Sequence, residues 1–357
     1  MGRGVNDAER NKVARSLMAK VLPDIARKWA IEDPNVWCAY GEDGPVDLSR
    51  PCVTTLSLSS LLASGLSFDN LVESLPSQTD PVDVLYTSNT IPRKILLAHA
   101  VKVVQDDRTS SVLTVLVIKD IKHDLSVHWP AWTETKDLFR QANNFKCSHA
   151  KSWSDHHNFV QLASAGAFTD WHTDYSMSGA MLYLCAGEKI LYLMPNHERI
   201  RRAWRNWYKD DRNSTSWFPE SCKPRWPIFR RIVKSSELVW VPPGWAHAVY
   251  TTKASMVLSG NLLVYDSLIE ACAEYNRTLD SLHNNIVCSQ PVCTCAPDFW
   301  FEDLPELVLQ YTCHLLHSRS TTMTDNFLGS LMSYLCIWSG LDSNHPSYKI
   351  WLKKRLL

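Results

Sequence analysis

The sequence lacks a net charge, a membrane-length apolar run and a signal-peptide core. Its 37 lysines and arginines are balanced by 37 aspartates and glutamates. The whole chain therefore generates no strong field that would recruit nucleic acid or an acidic membrane, and gives no strong indication of direct nucleic-acid binding. No apolar stretch approaches the length of a transmembrane helix, and the N-terminus is polar. These absences predict a soluble intracellular protein without a membrane partner.

Cysteine is present but follows no regular pattern. The 11 cysteines are irregularly spaced, which argues against a disulfide framework in a reducing compartment. We expect most of them to be small buried hydrophobic residues. Metal-capable side chains do concentrate after the strand-rich region, but the Cys293-Thr-Cys295 spacing is tighter than zinc ligand pairs usually show. We therefore do not favour a second metal site, and the sequence leaves open whether zinc binds this group: His283, Cys288, Cys293, Cys295, Cys313, His314 and His317.

Short β-branched runs fill the centre of the chain between helical flanks. Helical spacing is found over 8–30, 56–75, 135–143, 266–277, 305–316 and 324–338. Strands are predicted at 82–85, 94–104, 111–121, 159–165, 180–185, 189–194, 237–241, 246–251 and 255–263, with Gly187 as a hairpin turn. The pattern predicts a mixed N-terminal region (1–80), a β-rich domain (81–265) and a C-terminal helical subdomain (266–357). This strand density favours a sandwich or barrel.

Three residues have the character of iron ligands. His172 and Asp174 are two positions apart, so on a strand they face the same side. His247 lies 75 positions further on, and a jelly roll, the double-stranded β-helix, would return it to the first strand. Two histidines and one carboxylate bind one face of Fe(II) and leave the other positions open. An isolated His-x-Asp pair is usually uninformative, and His247 alone could be a buried core histidine.

The motifs around these residues strengthen the metal interpretation. They are Thr169-Asp-Trp-His172-Thr-Asp174, Gly187-Glu-Lys189-Ile-Leu-Tyr-Leu193, Pro243-Gly-Trp-Ala-His247-Ala-Val249 and Ser259-Gly-Asn-Leu-Leu263. In this order and spacing they resemble the JmjC oxygenases, and most of all the F-box-linked and PHD-finger-linked histone lysine demethylases. The resemblance extends over about residues 155–265 and more weakly from about residue 80. It implies a mainly β jelly roll with flanking helices.

The resemblance also implies a cofactor and cosubstrate site. His172, Asp174 and His247 match the iron ligands, so they are the expected metal-binding and catalytic residues. Lys189 matches the lysine that pairs with the distal carboxylate of 2-oxoglutarate, and Thr169 matches a hydroxyl that hydrogen-bonds the same group. A buried carboxylate needs such a cation. The expected reactants are therefore Fe(II), 2-oxoglutarate and O2.

The expected substrate is a methylated histone tail peptide. The resemblance implies a dioxygenase that oxidises an N-methyl group of lysine, releasing formaldehyde, and thus a chromatin regulator in the nucleus. Tyr175 is a candidate for the methyl-ammonium pocket, since aromatic faces attract alkylated cations; a core aromatic is the alternative. Asn261 is expected to line the iron cavity. The sequence predicts neither the target lysine nor the oligomeric state.

Two positions depart from the family pattern. Leu182 stands where the family usually has a tyrosine that donates to 2-oxoglutarate. Tyr183 is next to it, but one step along a strand reverses the face. An upstream asparagine of the related enzymes aligns loosely with Thr114. These departures predict weaker cosubstrate binding, or retention of metal binding without turnover.

Two other functions therefore stay open beside the demethylase. A protein side-chain hydroxylase could use the same fold, and so could a chromatin-associated binding protein that has weak or no activity. A cluster of arginines (Arg199, Arg201, Arg202 and Arg205) among tryptophans could face a nucleic acid or a peptide. We favour the alternative that this cluster is a solvated helix face with aromatic rings packed beneath it.

Overall fold

The computed structural model describes residues 29–41, 44–62, 81–86, 93–106, 112–118, 127–143, 158–174, 177–209, 217–283, 304, 307–312, 327, 329–331 and 333–335. The helix predicted over 8–30 lies outside these residues apart from its last two positions. Helical backbone at 304, 307–312, 329–331 and 333–335 falls within the two predicted C-terminal helices, apart from residue 304.

Strands make up most of the described chain. In order they are β1 (Ala30–Ile31), β2 (Tyr40–Gly41), β3 (Gly44–Pro45), β4 (Cys52–Thr55), β5 (Pro81–Tyr86), β6 (Arg93–Leu96), β7 (Leu113–Ile118), β8 (Phe159–Ala163), β9 (Phe168–His172), β10 (Gly179–Met194), β11 (Ile228–Lys234), β12 (Glu237–Val241) and β13 (Ala246–Leu262). The helices are α1 (Leu58–Leu61), α2 (Leu97–Gln105), α3 (Trp132–Lys136), α4 (Leu138–Asn143), α5 (Glu198–Lys209), α6 (Phe218–Ser221) and α7 (Tyr265–His283).

Eleven of the described strands form one sheet. β10 is antiparallel to β12 through its first half and to β11 through its second half. β13 pairs in the same way with β9 and then with β8. Strands that change partners part-way along turn the corner between two sheets. The mainly β jelly roll expected from the sequence is therefore confirmed.

The strand predicted over 94–104 is wrong after its first residues. β6 ends at Leu96 and the chain continues as α2. The buried residues of α2 are Leu97, Ala100, Val101 and Val104, a spacing of three and four that forms one helix face. The β-branched composition of this stretch misled the sequence prediction, and the period of its apolar positions explains the helix.

The hairpin predicted at Gly187 is also wrong. β10 runs without interruption through Gly187, and its two halves pair with different strands. The glycine has a φ of +92°, and a Cβ there would lie 2.3 Å from the carbonyl oxygen of Ala254 on β13. Gly187 therefore marks the corner of the roll, where a neighbouring backbone approaches closely.

The described residues divide into two compact units. One comprises those within Met1–Trp132, His157–Thr173 and Gly179–Asn261; the other comprises those within Thr133–His156, Asp174–Ser178 and Leu262–Leu357. The division of the sequence into 1–80, 81–265 and 266–357 stays a prediction. No helix in the described part of the chain is long and apolar enough to span a membrane.

The first unit has buried clusters on both faces of its sheet. The roll core comprises Ala180, Leu184, Leu191, Leu193, Val233, Val239, Val241, Trp245 and Val257. The tryptophan cluster comprises Trp171, Tyr192, Met194, Ile200, Trp207, Trp217, Phe218, Cys222, Ile228, Ala246 and Ala248. Along the second half of β10, Leu191 and Leu193 enter the roll core while Tyr192 and Met194 enter the tryptophan cluster, as the two-residue period of a strand requires.

The second unit has a core of its own. α4 and α7 contribute buried residues to it, together with the helical residues between 304 and 335. The buried Asp137 carboxylate accepts hydrogen bonds from the backbone amides of Phe139 and Leu263, at 3.1 and 3.3 Å. This pair of bonds joins the start of α4 to the segment before α7.

The cysteines behave as the composition suggests. Cys38, Cys52, Cys222 and Cys272 are buried, Cys185 is half-buried, and all five are unbridged. Burial raises the pKa of the Cys185 and Cys222 thiols to about 12. These thiols therefore stay protonated and unreactive at neutral pH.

Candidate metal centre

β9 and β13 bring the two candidate histidines together. His172 pairs with His247, and Thr169 pairs with Val249. The register shifts between these pairs, because three residue steps on β9 span two on β13. Paired residues of an antiparallel ladder share a face, so this bulge puts Thr169 and His172 on the same side. On a regular strand, residues three positions apart would face opposite sides.

Both histidine rings are oriented by backbone carbonyls. Nδ1 of His172 lies 2.7 Å from the carbonyl oxygen of Asp170, and Nδ1 of His247 lies 3.1 Å from that of Trp245. A carbonyl only accepts, so each Nδ1 must carry the hydrogen and donate it. Each Nε2 then carries the lone pair, which is the form that binds a metal. The two ring centroids are 4.1 Å apart.

The turn before β13 fixes the position of His247. Gly244 has a φ of +71°, and the amide of Trp245 donates to the carbonyl of Pro242 at 3.3 Å. The indole Nε1 of Trp245 donates to the carbonyl of Ser49 at 3.0 Å. His247 is itself buried, and burial lowers its pKa to about 4. Its imidazole is therefore neutral and available as a ligand over the whole physiological pH range.

His172, Asp174 and His247 form a group able to bind a metal. Each offers one ligand atom, and these atoms lie within 4.8 Å of one another. His247 is buried, while His172 and Asp174 are half-buried. Two imidazoles and one carboxylate are a donor set suited to Fe(II), with coordination positions left for other ligands.

Lys189 lies on the same inner face as the roll core. Along β10 it alternates with Leu191 and Leu193, both members of that core. Its Nζ donates to the hydroxyl of Thr251 at 3.0 Å, and desolvation lowers its pKa to about 8. Within the described residues Lys189 has no carboxylate partner. A desolvated cation without a counter-charge is costly unless an anion binds it.

Ser255 adds an unpaired hydroxyl to this inner face. It lies two residues before Val257 of the roll core, it is 3% exposed, and its Oγ has no hydrogen-bond partner in the structure. Its Cβ lies 2.7 Å from the place where a Cβ of Gly187 would be. Gly187 and Lys189 are two positions apart on β10, so Ser255 and Lys189 lie on the same part of the inner face. Buried hydroxyls usually have a partner, so this one is a candidate donor to a ligand on the inner face.

The sequence prediction missed Thr251 and Ser255, although the signal was present. Thr251, Ser255 and Ser259 recur every four positions in an otherwise apolar strand, and an even spacing keeps them on one face. Ser259 is also buried, and its hydroxyl donates to Oε1 of Gln161 at 3.3 Å. β13 therefore has a polar line along its inner face.

The two departures from the family pattern can be located. Leu182 is half-buried and packs against the roll core. Tyr183 is 1% exposed, and its hydroxyl donates to the carbonyl of Leu56 at 3.0 Å, so its ring points away from Leu182. Thr114 is buried and pairs with Ala163, which in turn pairs with Ser255, so these three share a face.

The remaining sequence candidates have different outcomes. Asn261 is half-buried on β13, on the face of Ser259. Tyr175 lies outside the described residues. Of the cysteine and histidine group near the C-terminus, the structure describes only the helical backbone of His283.

The sequence is similar to several curated JmjC and lysine demethylase proteins. JmjC domain-containing histone demethylation protein 1 of Mycosarcoma maydis is 28% identical over 129 residues, which is 36% of this chain and 19% of that protein. The protein of the same name from Debaryomyces hansenii is 27% identical over 166 residues, 44% of this chain and 31% of that protein. Lysine-specific demethylase 7A of Homo sapiens is 25% identical over 195 residues, 54% of this chain and 18% of that protein.

This chain is related to the JmjC histone lysine demethylases. It spans between about a fifth and a third of the length of these three relatives. No protein-family model matches it. The relationship agrees with the jelly roll and with the His-Asp-His group of the structure.

Proposed function

We propose that the protein is an Fe(II)- and 2-oxoglutarate-dependent dioxygenase that demethylates N-methyl-lysine in histone tails. The observation that carries the proposal is the combination of a metal donor set with a nearby cation. His172 at the end of β9, Asp174 two residues later and His247 on β13 form the donor set, and the half-buried cation Lys189 contacts β13 four residues after His247. The histone substrate is proposed from the relatives that are named histone demethylation proteins.

The three candidate ligands fit an Fe(II) ion. His172, Asp174 and His247 would bind it through two Nε2 atoms and a carboxylate oxygen. When bound, iron activates O2 for oxidation of an unreactive C–H bond. The protein supplies the orientation: the carbonyls of Asp170 and Trp245 set the two imidazole tautomers before any metal arrives.

The polar residues of the inner face, next to the metal ligands, suit a dicarboxylate ligand. Lys189 would pair with the distal carboxylate of 2-oxoglutarate, and Thr169 would donate a hydrogen bond to it. The unpaired Oγ of Ser255 provides another donor on this inner face. Charge-assisted hydrogen bonds of this kind are roughly twice as strong as neutral ones. Because Leu182 donates nothing, binding should depend more on Lys189 than in relatives that have a tyrosine there.

In this proposal the methyl-lysine site lies beside the metal ligands. Asn261 would border the metal from β13, and Tyr175 would contribute an aromatic face to the methyl-ammonium group. The nucleus is the proposed location, because the substrate is a histone.

Product analysis tests the proposal. The purified protein would be incubated with Fe(II), ascorbate, 2-oxoglutarate and a panel of methylated histone peptides, and the products weighed by mass spectrometry. Loss of 14 Da from one peptide, with formaldehyde and succinate, is the expected result, the mass being that of one CH2 group. The His172→Ala protein should give none of the three.

Two other outcomes would replace the proposal. Succinate with an unchanged histone panel would indicate a hydroxylase acting on another protein. Neither peptide product nor succinate, from a protein that still binds metal, would favour a binding protein without turnover.

A further inference from the structure

Positive charge is concentrated in one part of this neutral chain. Residues 196–234 contain eleven lysines and arginines against four acidic residues, a net charge of +7 within a chain whose total is zero. The rest of the chain must therefore carry −7. An asymmetry of this size creates a local field even though the whole molecule has none.

The arginines of α5 divide between two faces. Arg201 and Arg205 are each 11% exposed and pair with Glu198 at 3.0 and 3.3 Å. Arg199 and Arg202 are exposed, and they lie with the exposed Asn206 on one side of the helix. The buried side of α5 contributes Ile200 and Trp207 to the tryptophan cluster. The aromatic rings expected beneath the helix are present, but only Arg199 and Arg202 of the four arginines are solvated.

The segment before β11 continues this positive surface. Arg225 is exposed, and its guanidinium lies 3.9 Å from the ring centroid of Trp29. Lys223 is exposed two residues earlier. The ring of Trp226 lies 4.5 Å from that of His197, next to the start of α5. This contact makes the two cationic stretches neighbours.

We propose that this basic face, defined as Arg199, Arg202, Lys223 and Arg225, binds the phosphate backbone of double-stranded DNA. Its exposed groups are cations and its rings are half-buried or buried, so it offers charge but no exposed aromatic platform for unpaired bases. The four residues that define it are all cations, so they supply no apolar anchor of the kind that protein and membrane interfaces use. Duplex DNA presents one negative charge per about 1.7 Å, which matches a surface that offers charge alone.

The acidic side chains near the basic face do not cancel it. Glu198 is paired with Arg201 and Arg205 at 3.0 and 3.3 Å and lies 3.9 Å from the largely exposed Arg202, and Glu32 is paired with Arg230 at 2.7 Å. Glu220 on α6 is exposed. Among the residues that the structure describes here, the four cations outnumber the exposed acids Glu32 and Glu220.

A binding experiment with salt dependence tests this proposal. Fluorescence anisotropy would measure binding of the whole chain to a labelled 20-base-pair duplex between 50 and 200 mM salt. The comparison protein is Arg199→Gln/Arg202→Gln/Lys223→Gln, which leaves Arg225 on the ring of Trp29 and therefore spares the packing. Each phosphate contact contributes about 0.9 to the slope of log K against log salt. The triple variant should lose about 2.7 in slope and bind at least tenfold more weakly.

A matched control distinguishes binding by this face from a general effect of the protein's positive charge. Arg93→Gln/Lys94→Gln/Lys102→Gln removes the same charge from exposed positions on β6 and α2 and should leave both slope and affinity unchanged. Equal weakening by the two triple variants would overturn the proposal, and so would an absent salt dependence in the unaltered protein. Tighter binding to a single strand of equal length would overturn the duplex assignment. The His172→Ala protein should bind DNA normally, so this result is independent of the proposed enzyme activity.

Discussion

Lys189 is the residue on which cosubstrate binding should depend most. Its charged form is needed to bind a carboxylate, yet burial lowers its pKa to about 8 in the free protein. A bound carboxylate would raise that pKa again. Above pH 8, Lys189 has lost its proton in the free protein but keeps it in the complex. Binding then takes up a proton, so the affinity for the carboxylate depends on pH.

We predict that 2-oxoglutarate affinity falls as the pH rises through about 8. Below that pH Lys189 is protonated with or without ligand; above it the free protein must first take up a proton, at a cost of up to about tenfold per pH unit. Calorimetry with Mn(II) in place of Fe(II), between pH 7 and 9, measures this. Lys189→Met should bind weakly and lose the dependence, while the exposed-lysine variant Lys94→Met should retain it. An unaltered protein with flat affinity over this range would contradict the prediction.

Ser255 provides a prediction in which stability and binding change in opposite directions. Its buried hydroxyl has no partner, so Ser255→Ala removes an unsatisfied polar group and should raise the unfolding temperature or leave it unchanged. The same change should weaken 2-oxoglutarate binding roughly tenfold, since a hydrogen bond to a charged group contributes about 1.5–3 kcal/mol. Thermal unfolding with and without cosubstrate measures both.

Thr133→Val is the matched control for Ser255→Ala. Thr133 is fully buried in the other unit and its hydroxyl is also unpaired. Its replacement should stabilise the protein without altering cosubstrate binding. If Ser255→Ala behaves in the same way as Thr133→Val, Ser255 is not a cosubstrate contact.

At the scale of elements, the continuity of β10 depends on Gly187. The sequence indicated a glycine between two strands, which is equally compatible with a hairpin and with a corner in one strand. Only the pairing partners distinguish these, and they come from residues about 40 to 70 positions further along the chain. Local sequence carries no information about such partners.

We predict that Gly187→Ala destabilises the protein by about 3 kcal/mol or more. The new Cβ would meet the backbone of Ala254 and Ser255 at 2.3 and 2.7 Å, at a φ of +92°. Gly41→Ala is the control, because the nearest atom would be 3.6 Å away, and it should cost less than about 1 kcal/mol. Urea unfolding compares the two, and equal midpoints would contradict the corner assignment.

At the scale of the whole molecule, metal binding should raise the free energy of unfolding. His172 and His247 are brought together only in the folded chain, so an ion that binds them favours folding. At a hundredfold excess over its dissociation constant, Mn(II) should add about 2.7 kcal/mol and raise the unfolding temperature by several degrees. A chelator should reverse the rise.

Matched histidine variants test where this metal binds. His172→Ala should abolish the rise in unfolding temperature, and His99→Ala, at an exposed position on α2, should retain it. A rise that survives in His172→Ala would place the responsible ion at another site.

The sequence alone determined the residue types and spacing that the chemistry requires. The His-x-Asp pair, the distant histidine and the lysine are readable as motifs because metal and carboxylate recognition demands particular donors. The β-rich centre follows from local composition and is confirmed.

Only the tertiary structure decided which of these residues share a face. The bulge in β9 turns Thr169 toward His172, the continuous β13 adds Thr251 and Ser255, and the hydrogen bond to Leu56 directs Tyr183 away. It also decided that 97–105 is a helix and that the arginines of α5 lie over a tryptophan cluster. Each of these depends on hydrogen bonds or packing between residues far apart in sequence, which local patterns do not encode.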